Sequence, residues 1–456
     1  MPDTIQIDTQ LLNKYNINGP RYTSYPTALE FHSDFNEEDL IEAVAAGDTR
    51  DLALYLHIPF CHSLCYYCGC NKIVTRHRHK ADDYLDYLIK EMESRAQHFS
   101  DYQVKQLHLG GGTPSFLTES QFTRLISELR HHFNFADDAE MGIEIDPREI
   151  ELDLLDHLKT LGFNRLSFGL QDTNQEVQEA INRIQDTQFV AELIKRGREL
   201  GYQSINLDVI YGLPHQTPAL FTKTLSDVMK LDPDRISLFS YAHLPARFAA
   251  QRKIKDDWLP SGQVKLGLML QAIDTLTSSG YVAIGMDHFA KPTDELAIAQ
   301  QEGHLHRNFQ GYTTQGNCDL LGLGVSSISS ISNVFSQNQK GLKEYYQAID
   351  NDGSAVDKGL TLDNDDLIRA SLIKQLMCNF RLDIVKFNQQ WQIDFNDYFA
   401  TEIKNLNDFI KDDLVEITKE EIRIQKTGRL LVRTICMTFD KYMAKQINKQ
   451  RFSRVI

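Results

Sequence analysis

The residues with the most specific chemistry are four cysteines within a short stretch, Cys61, Cys65, Cys68 and Cys70. The first three are spaced as C-x-x-x-C-x-x-C, directly after the apolar run Leu52–Phe60. Three thiolates in one loop can bind three irons of a cubane iron–sulfur cluster and leave the fourth iron without a protein ligand. Such an iron can bind a substrate, whereas a fully ligated cluster only passes electrons. The spacing therefore predicts a 4Fe–4S cluster with an open coordination position.

A zinc site is the alternative interpretation of the same loop. Structural zinc is usually bound by two separated pairs of ligands, and no second Cys or His pair follows at a suitable spacing. The spacing favours iron–sulfur over zinc. Cys70 is not needed as a fourth ligand, and we expect it to line the site.

Two further features could bind a ligand beside the cysteines. The segment Gly110–Pro114 (GGGTP) follows an apolar run and precedes a helical one, so its backbone N–H groups could hold a carboxylate. A simple tight turn is the alternative. Glu144 and Asp208 suit hydroxyl and ammonium groups, although an isolated carboxylate is more often structural. The basic run Arg76–Lys80 could meet carboxylates or phosphates, but such runs are usually solvated.

The elements that position these residues follow an alternating pattern of strands and helices. The predicted strands are Leu52–Pro59, Gln106–Gly110, Met141–Asp146, Leu166–Gln171, Ile205–Tyr211 and Ile236–Tyr241. The predicted helices cover about 80–98, 119–132, 149–161, 187–200, 217–230 and 262–278. This alternation predicts an α/β fold with a parallel sheet.

The first five predicted strands each have one apolar face and one polar or small face. In the first strand, for example, Leu52, Leu54 and Leu56 oppose Tyr55 and His57. A closed eight-stranded barrel fills its interior with branched apolar side chains, so the polar faces favour a wider, incomplete (β/α)6-type barrel that holds polar ligands. An open sheet with one solvated face is the alternative, but parallel sheets are normally covered on both faces. We expect the polar groups near the strand ends to form one site.

Composition limits the possible functions. A chain of 456 residues predicts two or three domains. The net charge of −15 argues against general nucleic-acid binding. No apolar run approaches the roughly 18 residues of a membrane helix, and the N-terminus does not resemble a secretory signal. Bunched rather than evenly spread cysteines predict a reducing, cytoplasmic location.

The ends of the chain differ from its middle. Residues 1–35 have aromatic and turn residues without periodicity, which predicts an extended N-terminal arm. Residues 36–340 carry the strand–helix alternation. Residues 341–456 are predicted to be mainly helical, with an alternating pair, Leu414–Ile417 and Ile422–Gln425, and a helix from about Thr427, as in a winged-helix-like module. The role of the basic stretch Lys441–Arg454 is not indicated.

Several motifs together resemble a known family. HIPFCHSLCYYCGC is similar to the cluster loop of radical S-adenosylmethionine (SAM) enzymes, and GGGTP is similar to their glycine-rich segment. The further segments RYTSYPTA, IEIDPREI, NLDVIYGLP, GMDHFA, HRNFQGYTTQG and RFSRVI resemble those of the oxygen-independent coproporphyrinogen III oxidases (dehydrogenases) within that superfamily.

The resemblance implies a reaction and its cofactors. Family members convert two propionates of coproporphyrinogen III to vinyl groups and release carbon dioxide, giving protoporphyrinogen IX in haem (porphyrin) biosynthesis. They use a 4Fe–4S cluster and two SAM molecules, and a SAM-derived 5′-deoxyadenosyl radical abstracts hydrogen from the substrate. The resemblance also implies a monomer with an electron donor such as flavodoxin or ferredoxin.

The resemblance also assigns residues. Cys61, Cys65 and Cys68 would bind the cluster, and they are the predicted catalytic residues together with Tyr55. Contacts of the first SAM would be Tyr55, Gly111, Glu144 and Ile328. Contacts of the second would be Tyr67, Gly112, Thr113, Gln171, Arg183, Asp208 and Ala242. Tyr67 stands where relatives often have Phe, so only a stacking role carries over. Arg21 and Tyr22 are expected on an arm near the substrate.

A haem-binding and haem-trafficking branch of the same superfamily is the alternative function. That branch has an aromatic residue at the position of Cys70 and lacks both the N-terminal arm and the RFSRVI ending. Cys70 therefore favours the enzyme.

Overall fold

The computed structural model of the protein describes residues 9–443 and contains the predicted parallel sheet. Six strands follow one another along the chain, and their predicted positions are confirmed. They are β1 (Asp51–Ile58), β2 (Gln103–Gly111), β3 (Asn134–Ile145), β4 (Arg165–Gln171), β5 (Ser204–Tyr211) and β6 (Arg235–Ser240). Each strand pairs in parallel with the next in the order β1-β2-β3-β4-β5-β6.

Four further strands extend the sheet beyond β1. They are β7 (Asp319–Leu323), β8 (Ile328–Ile331), β9 (Val334–Asn338) and β10 (Val356–Thr361). β7 pairs in parallel with β1, and the remaining three are antiparallel in the order β7-β8-β9-β10. Within residues 9–443 no pairing joins β6 to β10, so the α/β barrel is incomplete, as the polar strand faces predicted.

Helices accompany the strands of the sheet. Six of them confirm the predicted ranges, whereas Glu37–Ala46, Gln175–Ala180 and Leu342–Asp352 were not among those ranges. The helices are α1 (Glu37–Ala46), α2 (Lys80–Ala96), α3 (Glu119–His132), α4 (Asp153–Thr160), α5 (Gln175–Ala180), α6 (Thr187–Glu199), α7 (Pro218–Leu231), α8 (Gly262–Ser278) and α9 (Leu342–Asp352). Their starts have local causes. Thr118 caps α3 in a capping box with Gln121, and Thr217 caps α7 just before Pro218.

The apolar strand faces form the core that holds the sheet to its helices. Leu52, Leu54 and Leu56 of β1 are fully buried, and so are Leu107 and Leu109 of β2. The alternation places Tyr55 and His57 on the opposite face. The register then aligns polar residues from strand to strand, because Glu144 pairs with Ser167, Ser167 with Asn206, and Asp208 with Ser237.

The described residues form two compact units that are discontinuous in sequence. One, which we call the sheet unit, comprises 31–269 and 317–361. The other, the helical unit, comprises 9–30, 270–316 and 362–443. The limits of these units do not coincide with the contiguous boundaries predicted at residues 35 and 340. Those boundaries stay a prediction of how the chain divides into functional domains.

The described part of the helical unit contains helices and four small antiparallel strand pairings. Its helices are Thr9–Tyr15, Glu295–Glu302, Asn364–Asn379, Ile384–Trp391, Phe395–Tyr398, Ala400–Asn405, Asn407–Lys411 and Val432–Cys436. Its strands are Val282–Gly285, His288–Ala290, His306–Asn308, Gly311–Thr313, Arg381–Asp383, Val415–Ile417 and Glu421–Ile424. The last three form one sheet, which confirms the predicted alternating pair.

Two predictions for this unit need correction. Residues 9–15 are helical rather than extended, because burial of Leu12 and Tyr15 favours a helix that the sequence pattern did not reveal. The helix predicted from Thr427 begins as the 3₁₀ segment Lys426–Leu431 and becomes α-helical at Val432. The RFSRVI ending and most of Lys441–Arg454 lie outside the described residues. No helix among the described residues is long and apolar enough to cross a membrane.

Candidate active site

The two ends of the cysteine loop lie side by side in the sheet unit. Two short parallel strands, Phe60–Cys61 and Ile73–Val74, pair at its base. The Ile73 N–H donates to the Pro59 carbonyl at 2.6 Å, and the Thr75 N–H donates to the Cys61 carbonyl at 2.9 Å. Because both ends are fixed, the intervening residues form a closed loop after β1 that holds all four thiols.

Two of the thiols are hydrogen-bonded within or beside the loop. The Thr113 hydroxyl donates to Cys61 Sγ at 3.4 Å, and the Cys70 N–H donates to Cys68 Sγ at 3.4 Å. Burial raises the pKa of Cys61 to about 11. A hydrogen bond from the Cys70 side chain and the positive charge of Lys72 lower the pKa of Cys68 to about 6 despite burial. The thiolate therefore forms at a lower pH on Cys68 than on Cys61.

The third thiol, Cys65, lies against two arginines. Arg148 Nη2 is 3.3 Å and Arg183 Nη1 is 3.4 Å from its Sγ. Asp146 Oδ2 accepts from the same two groups, at 2.6 and 3.2 Å. Burial alone would raise the pKa of Asp146, but Arg183 and Arg148 outweigh burial and lower the pKa to about 2. Asp146 is thus a fixed anion that holds both guanidiniums.

Tyr55 is oriented by its neighbour two residues along β1. His57 Nε2 lies 3.0 Å from the Asn71 carbonyl, which can only accept, so Nε2 carries the proton. His57 Nδ1 then accepts from the Tyr55 hydroxyl at 3.2 Å. The backbone of Gly111 crosses the imidazole so closely that an added Cβ would lie 2.6 Å from the ring. Glycine is therefore required where this backbone passes His57.

Two carboxylates on the polar sheet face have like charge and lie near each other. Glu144 accepts the Gly111 N–H at 3.3 Å and is 3.4 Å from His108 Nε2. Asn206 Nδ2 donates to Asp208 Oδ1 at 2.8 Å. Burial, and then the charge of Glu144, raise the pKa of Asp208 to about 7. A cationic or hydroxyl-bearing ligand beside this pair would relieve the repulsion.

These groups surround one cavity of about 350 Å³ in the sheet unit, within the usual range for small-molecule sites. Its lining includes most of the predicted site residues, namely Cys61, Cys65, Cys68, Tyr67, Gly111, Gly112, Thr113, Glu144, Gln171, Arg183 and Asp208. The ring of Tyr67 is positioned by packing against a buried apolar cluster of the same unit that includes Ile210 and Tyr241.

Three predicted residues are not part of this lining. Tyr55 stands on β1, where its hydroxyl reaches His57 and its ring stacks on His108 with centroids 6.2 Å apart. Ile328 is the first residue of β8. Ala242 is exposed after β6, and its carbonyl accepts from Gln251 at 3.1 Å. Their predicted contacts with SAM stay predictions.

Arg148 and Lys72 line the cavity although the sequence argument did not single them out. Arg148 continues the alternation of Glu144 and Asp146 by two residues past the end of β3, and this signal could have identified it. The basic run Arg76–Lys80 is not part of the lining; Arg78 of that run lies 3.3 Å from His62.

The two arm residues have partners inside the helical unit. Arg21 forms an ion pair with Asp287, and the Tyr22 hydroxyl donates to Asp440 Oδ2 at 3.0 Å. Their expected place near the substrate stays a prediction.

The donor groups around the cavity fit an iron–sulfur cluster with an anionic organic ligand. Three thiols of one loop border the cavity, and the buried Nε of Arg183 has no hydrogen-bond partner among residues 9–443. The described residues contain no group of three Cys, His, Asp or Glu side chains close enough to bind one metal ion. Cysteines of a cubane bind separate irons and are more widely spaced than the ligands of a single ion.

Comparison with known proteins identifies two matching family models. The model of the radical SAM superfamily matches residues 55–228, which include the cysteine loop and the strands β2 to β5. The model of the HemN C-terminal domain matches residues 362–431, which belong to the helical unit.

Individual relatives match along nearly the whole chain. The oxygen-independent coproporphyrinogen III oxidase of Escherichia coli is 57% identical over 99% of both chains. That of Pseudomonas aeruginosa is 48% identical over the full length of both. The solved structure of coproporphyrinogen III oxidase (HemN) from Escherichia coli, described as a radical SAM enzyme, superposes with a TM-score of 0.94 at 56% identity, covering 96% of this chain and all of the other.

Proposed function

The chain belongs to the oxygen-independent coproporphyrinogen III oxidases of the radical SAM superfamily, and from this premise we infer that it acts in haem biosynthesis. The reaction is the oxidative decarboxylation of two propionate side chains of coproporphyrinogen III to vinyl groups, which gives protoporphyrinogen IX. The single observation that carries this function is the near full-length similarity, at 57% identity, to an enzyme of that name.

We propose that Cys61, Cys65 and Cys68 hold the 4Fe–4S cluster of this family. All three thiols border the same cavity, and each accepts at least one hydrogen bond that stabilises its thiolate. When bound, the cluster and SAM supply one-electron chemistry able to break an unactivated C–H bond, which acid–base side chains cannot do.

The remaining cavity residues are proposed to bind and orient SAM. Two molecules are proposed, the first at Tyr55, Gly111, Glu144 and Ile328 and the second at Tyr67, Gly112, Thr113, Gln171, Arg183, Asp208 and Ala242. The paired carboxylates Glu144 and Asp208 support this, because their mutual repulsion favours a cationic ligand. The buried Nε of Arg183, which has no hydrogen-bond partner among residues 9–443, supports an anionic group in the same cavity.

The chain's partners follow from the family and remain proposals. We propose a monomer that acts in the cytoplasm and receives electrons from flavodoxin or ferredoxin. All seven cysteines are free thiols in the structure, which supports a reducing location.

The test is an anaerobic assay with reconstituted protein, SAM, a reductant and coproporphyrinogen III. We expect the absorption spectrum of a 4Fe–4S cluster and formation of protoporphyrinogen IX. Tight haem binding without vinyl product would instead indicate the haem-trafficking function and would contradict the proposal.

Cys65→Ser tests the ligand assignment in the same assay. The variant is expected to lose the cluster absorption and SAM cleavage, because a serine hydroxyl is a poor ligand for iron in such clusters. Cys318→Ser, which changes a cysteine outside the loop, is the matched control and should retain both. Full turnover by Cys65→Ser would show that the three-cysteine assignment is incorrect.

A further inference from the structure

The three thiols of the proposed cluster site differ in what donates to them. Cys61 accepts from a neutral hydroxyl, and Cys68 accepts from the backbone N–H of Cys70 and interacts with the Cys70 thiol and the Lys72 ammonium. Cys65 alone, among these three, accepts from guanidinium groups, those of Arg148 and Arg183. Hydrogen bonds from charged donors are roughly twice as strong as neutral ones. Two hydrogen bonds from guanidiniums therefore meet at the Cys65 sulfur, whereas the charged group beside Cys68 is the single ammonium of Lys72.

Asp146 fixes the geometry of both donors. Its carboxylate binds Arg148 through two nitrogens, Nε at 2.9 Å and Nη2 at 2.6 Å, and also accepts from Arg183 Nη1 at 3.2 Å. The Asp146 and Arg148 side chains are each only 11% exposed, and that of Arg183 is 7% exposed. The two guanidiniums are thus already oriented toward Cys65 before any ligand binds.

Backbone carbonyls bind the remaining terminal nitrogens of both guanidiniums. Arg148 Nη1 donates to the Asn182 carbonyl at 3.3 Å, and Arg183 Nη2 donates to the Gly169 carbonyl at 2.7 Å. Gly169 is required for this approach, because a Cβ there would lie 2.6 Å from Arg183 Nη2. Neither arginine can turn away from Cys65 without losing these bonds.

We propose that Arg148 is a positioning residue of this enzyme that raises the reduction potential of the cluster through its hydrogen bond to Cys65 Sγ. The inference rests on the proposed function. Two cations against one buried anion leave one net positive charge beside this sulfur. Positive charge and hydrogen bonds at a ligand sulfur stabilise the reduced, more negative state. The step concerned is transfer of one electron from an external low-potential donor to the cluster, and no bond is made or broken.

Arg148 has this role alone, whereas Arg183 also belongs to the proposed SAM contacts. Arg148 therefore separates tuning of the potential from SAM binding. Its substitution is expected to change the potential in the absence of SAM.

The experiment is an EPR-monitored redox titration of the anaerobically reconstituted full-length protein, with dithionite and mediators and without SAM. Arg148→Gln is expected to lower the midpoint potential relative to the unmodified protein. Arg148→Lys keeps the positive charge but loses the planar guanidinium that donates to both Asp146 and Cys65. We therefore expect a smaller decrease in midpoint potential. Arg124→Gln is the matched control, because it removes an exposed guanidinium that pairs with Asp86, and its potential should not change.

A spectroscopic readout separates the hydrogen bond from general electrostatics. In D₂O the exchangeable deuterons coupled to the reduced cluster by ENDOR should include one from Arg148 that Arg148→Gln loses, while those from Arg183, Thr113 and the Cys70 N–H remain. Midpoint potentials and deuteron couplings equal to those of the unmodified protein would overturn the inference. Weaker SAM binding at an unchanged potential would also overturn it and would reassign Arg148 as a SAM contact.

Cluster content separates failure of this inference from failure of the proposed function. If Arg148→Gln does not bind iron, Arg148→Lys decides, and an unshifted potential in that variant overturns the inference. If the unmodified protein itself binds no cluster, the proposed function fails together with this inference. If the unmodified protein is active and binds the cluster, but the midpoint potentials of the Arg148 variants do not change, the proposed function stands and only the role of Arg148 is rejected.

Discussion

Two buried aspartates of the same cavity have opposite electrostatic surroundings. Asp146 is held between Arg148 and Arg183, which lower its pKa to about 2. Asp208 is buried near Glu144, and its pKa is raised to about 7. The first carboxylate is paired with two arginines, whereas burial and the charge of Glu144 outweigh the effect of Arg183 on the second. A cationic ligand would offset the repulsion between Asp208 and Glu144. Perturbed groups of the second kind mark functional sites.

Asp208→Asn is expected to stabilise the cluster-free protein in a pH-dependent way. The pKa of Asp208 is higher in the folded protein than its ordinary value of 3.8, so the folded state binds more protons and loses stability as pH rises between these values. Asparagine does not ionise, so the variant is not destabilised in this way as pH rises. The gain in free energy of unfolding should grow from pH 5.5 to pH 8, reaching at most about 4 kcal/mol.

Urea unfolding at several pH values measures this gain. Asp34→Asn is the matched control, because the Asp34 side chain is 94% exposed, and its effect should be small at every pH. A gain for Asp208→Asn that does not vary with pH would contradict the raised pKa. The same variant should bind SAM more weakly if Asp208 contacts it.

At the scale of elements, the site is made by the segments that follow β1, β2, β3 and β4 and by residues near the carboxyl ends of β3, β4 and β5. This arrangement is usual for parallel α/β folds, in which functional groups collect at the carboxyl ends of the strands. The loop after β2 shows how little freedom such a segment has. Gly111 has a φ of 116°, and its Cα faces the ring of His57. Glycine is therefore needed both for the positive φ at this position and for the close approach of the backbone to His57.

Gly111→Ala should destabilise the protein by about 3 kcal/mol or more, because a Cβ meets both a strained φ and the imidazole. Gly201→Ala is a matched control at a φ of 72° with no atom within 4 Å of the added Cβ. It should cost about 1 kcal/mol, from the conformation alone. Thermal unfolding compares the two, and equal costs would show that the contact with His57 is unimportant.

At the scale of the whole molecule, buried polar contacts join segments of the sheet unit that are far apart in sequence. Glu91 of α2 accepts from the Gly324 N–H at 2.7 Å, from Asn338 Nδ2 at 2.6 Å and from the Tyr345 hydroxyl at 2.7 Å. Burial raises the pKa of this fully buried carboxyl, although the hydrogen bonds oppose the shift. One side chain thus connects α2 with the ends of β7 and β9 and with α9.

Glu91→Ala is expected to lower the free energy of unfolding by about 3–5 kcal/mol, since it leaves three buried donors without an acceptor. Glu93→Ala, an exposed change on the same helix, should alter stability by no more than about 0.5 kcal/mol. Chemical denaturation measures both. A small effect of Glu91→Ala would mean that water replaces the carboxylate.

Much of the fold was predictable because its signals are local. The alternation of apolar and polar residues placed six strands and their buried faces, since the side-chain period of a strand is two. The six predicted helices agree with the observed ones to within a few residues, and capping residues such as Thr118 and Thr217 define where two of them begin. The helix at Thr9–Tyr15 was missed, because it is short and its burial depends on residues far along the chain.

The sequence by itself determined the cysteine loop, the positions of six parallel strands and the polar faces that meet at one cavity, because spacing and periodicity report local conformation and which side of an element is buried. Only the tertiary structure decided that Arg148 reaches Cys65, that Glu91 satisfies Gly324, and that the compact units combine separated segments. Such contacts depend on how completed elements pack against one another. No local pattern encodes that packing.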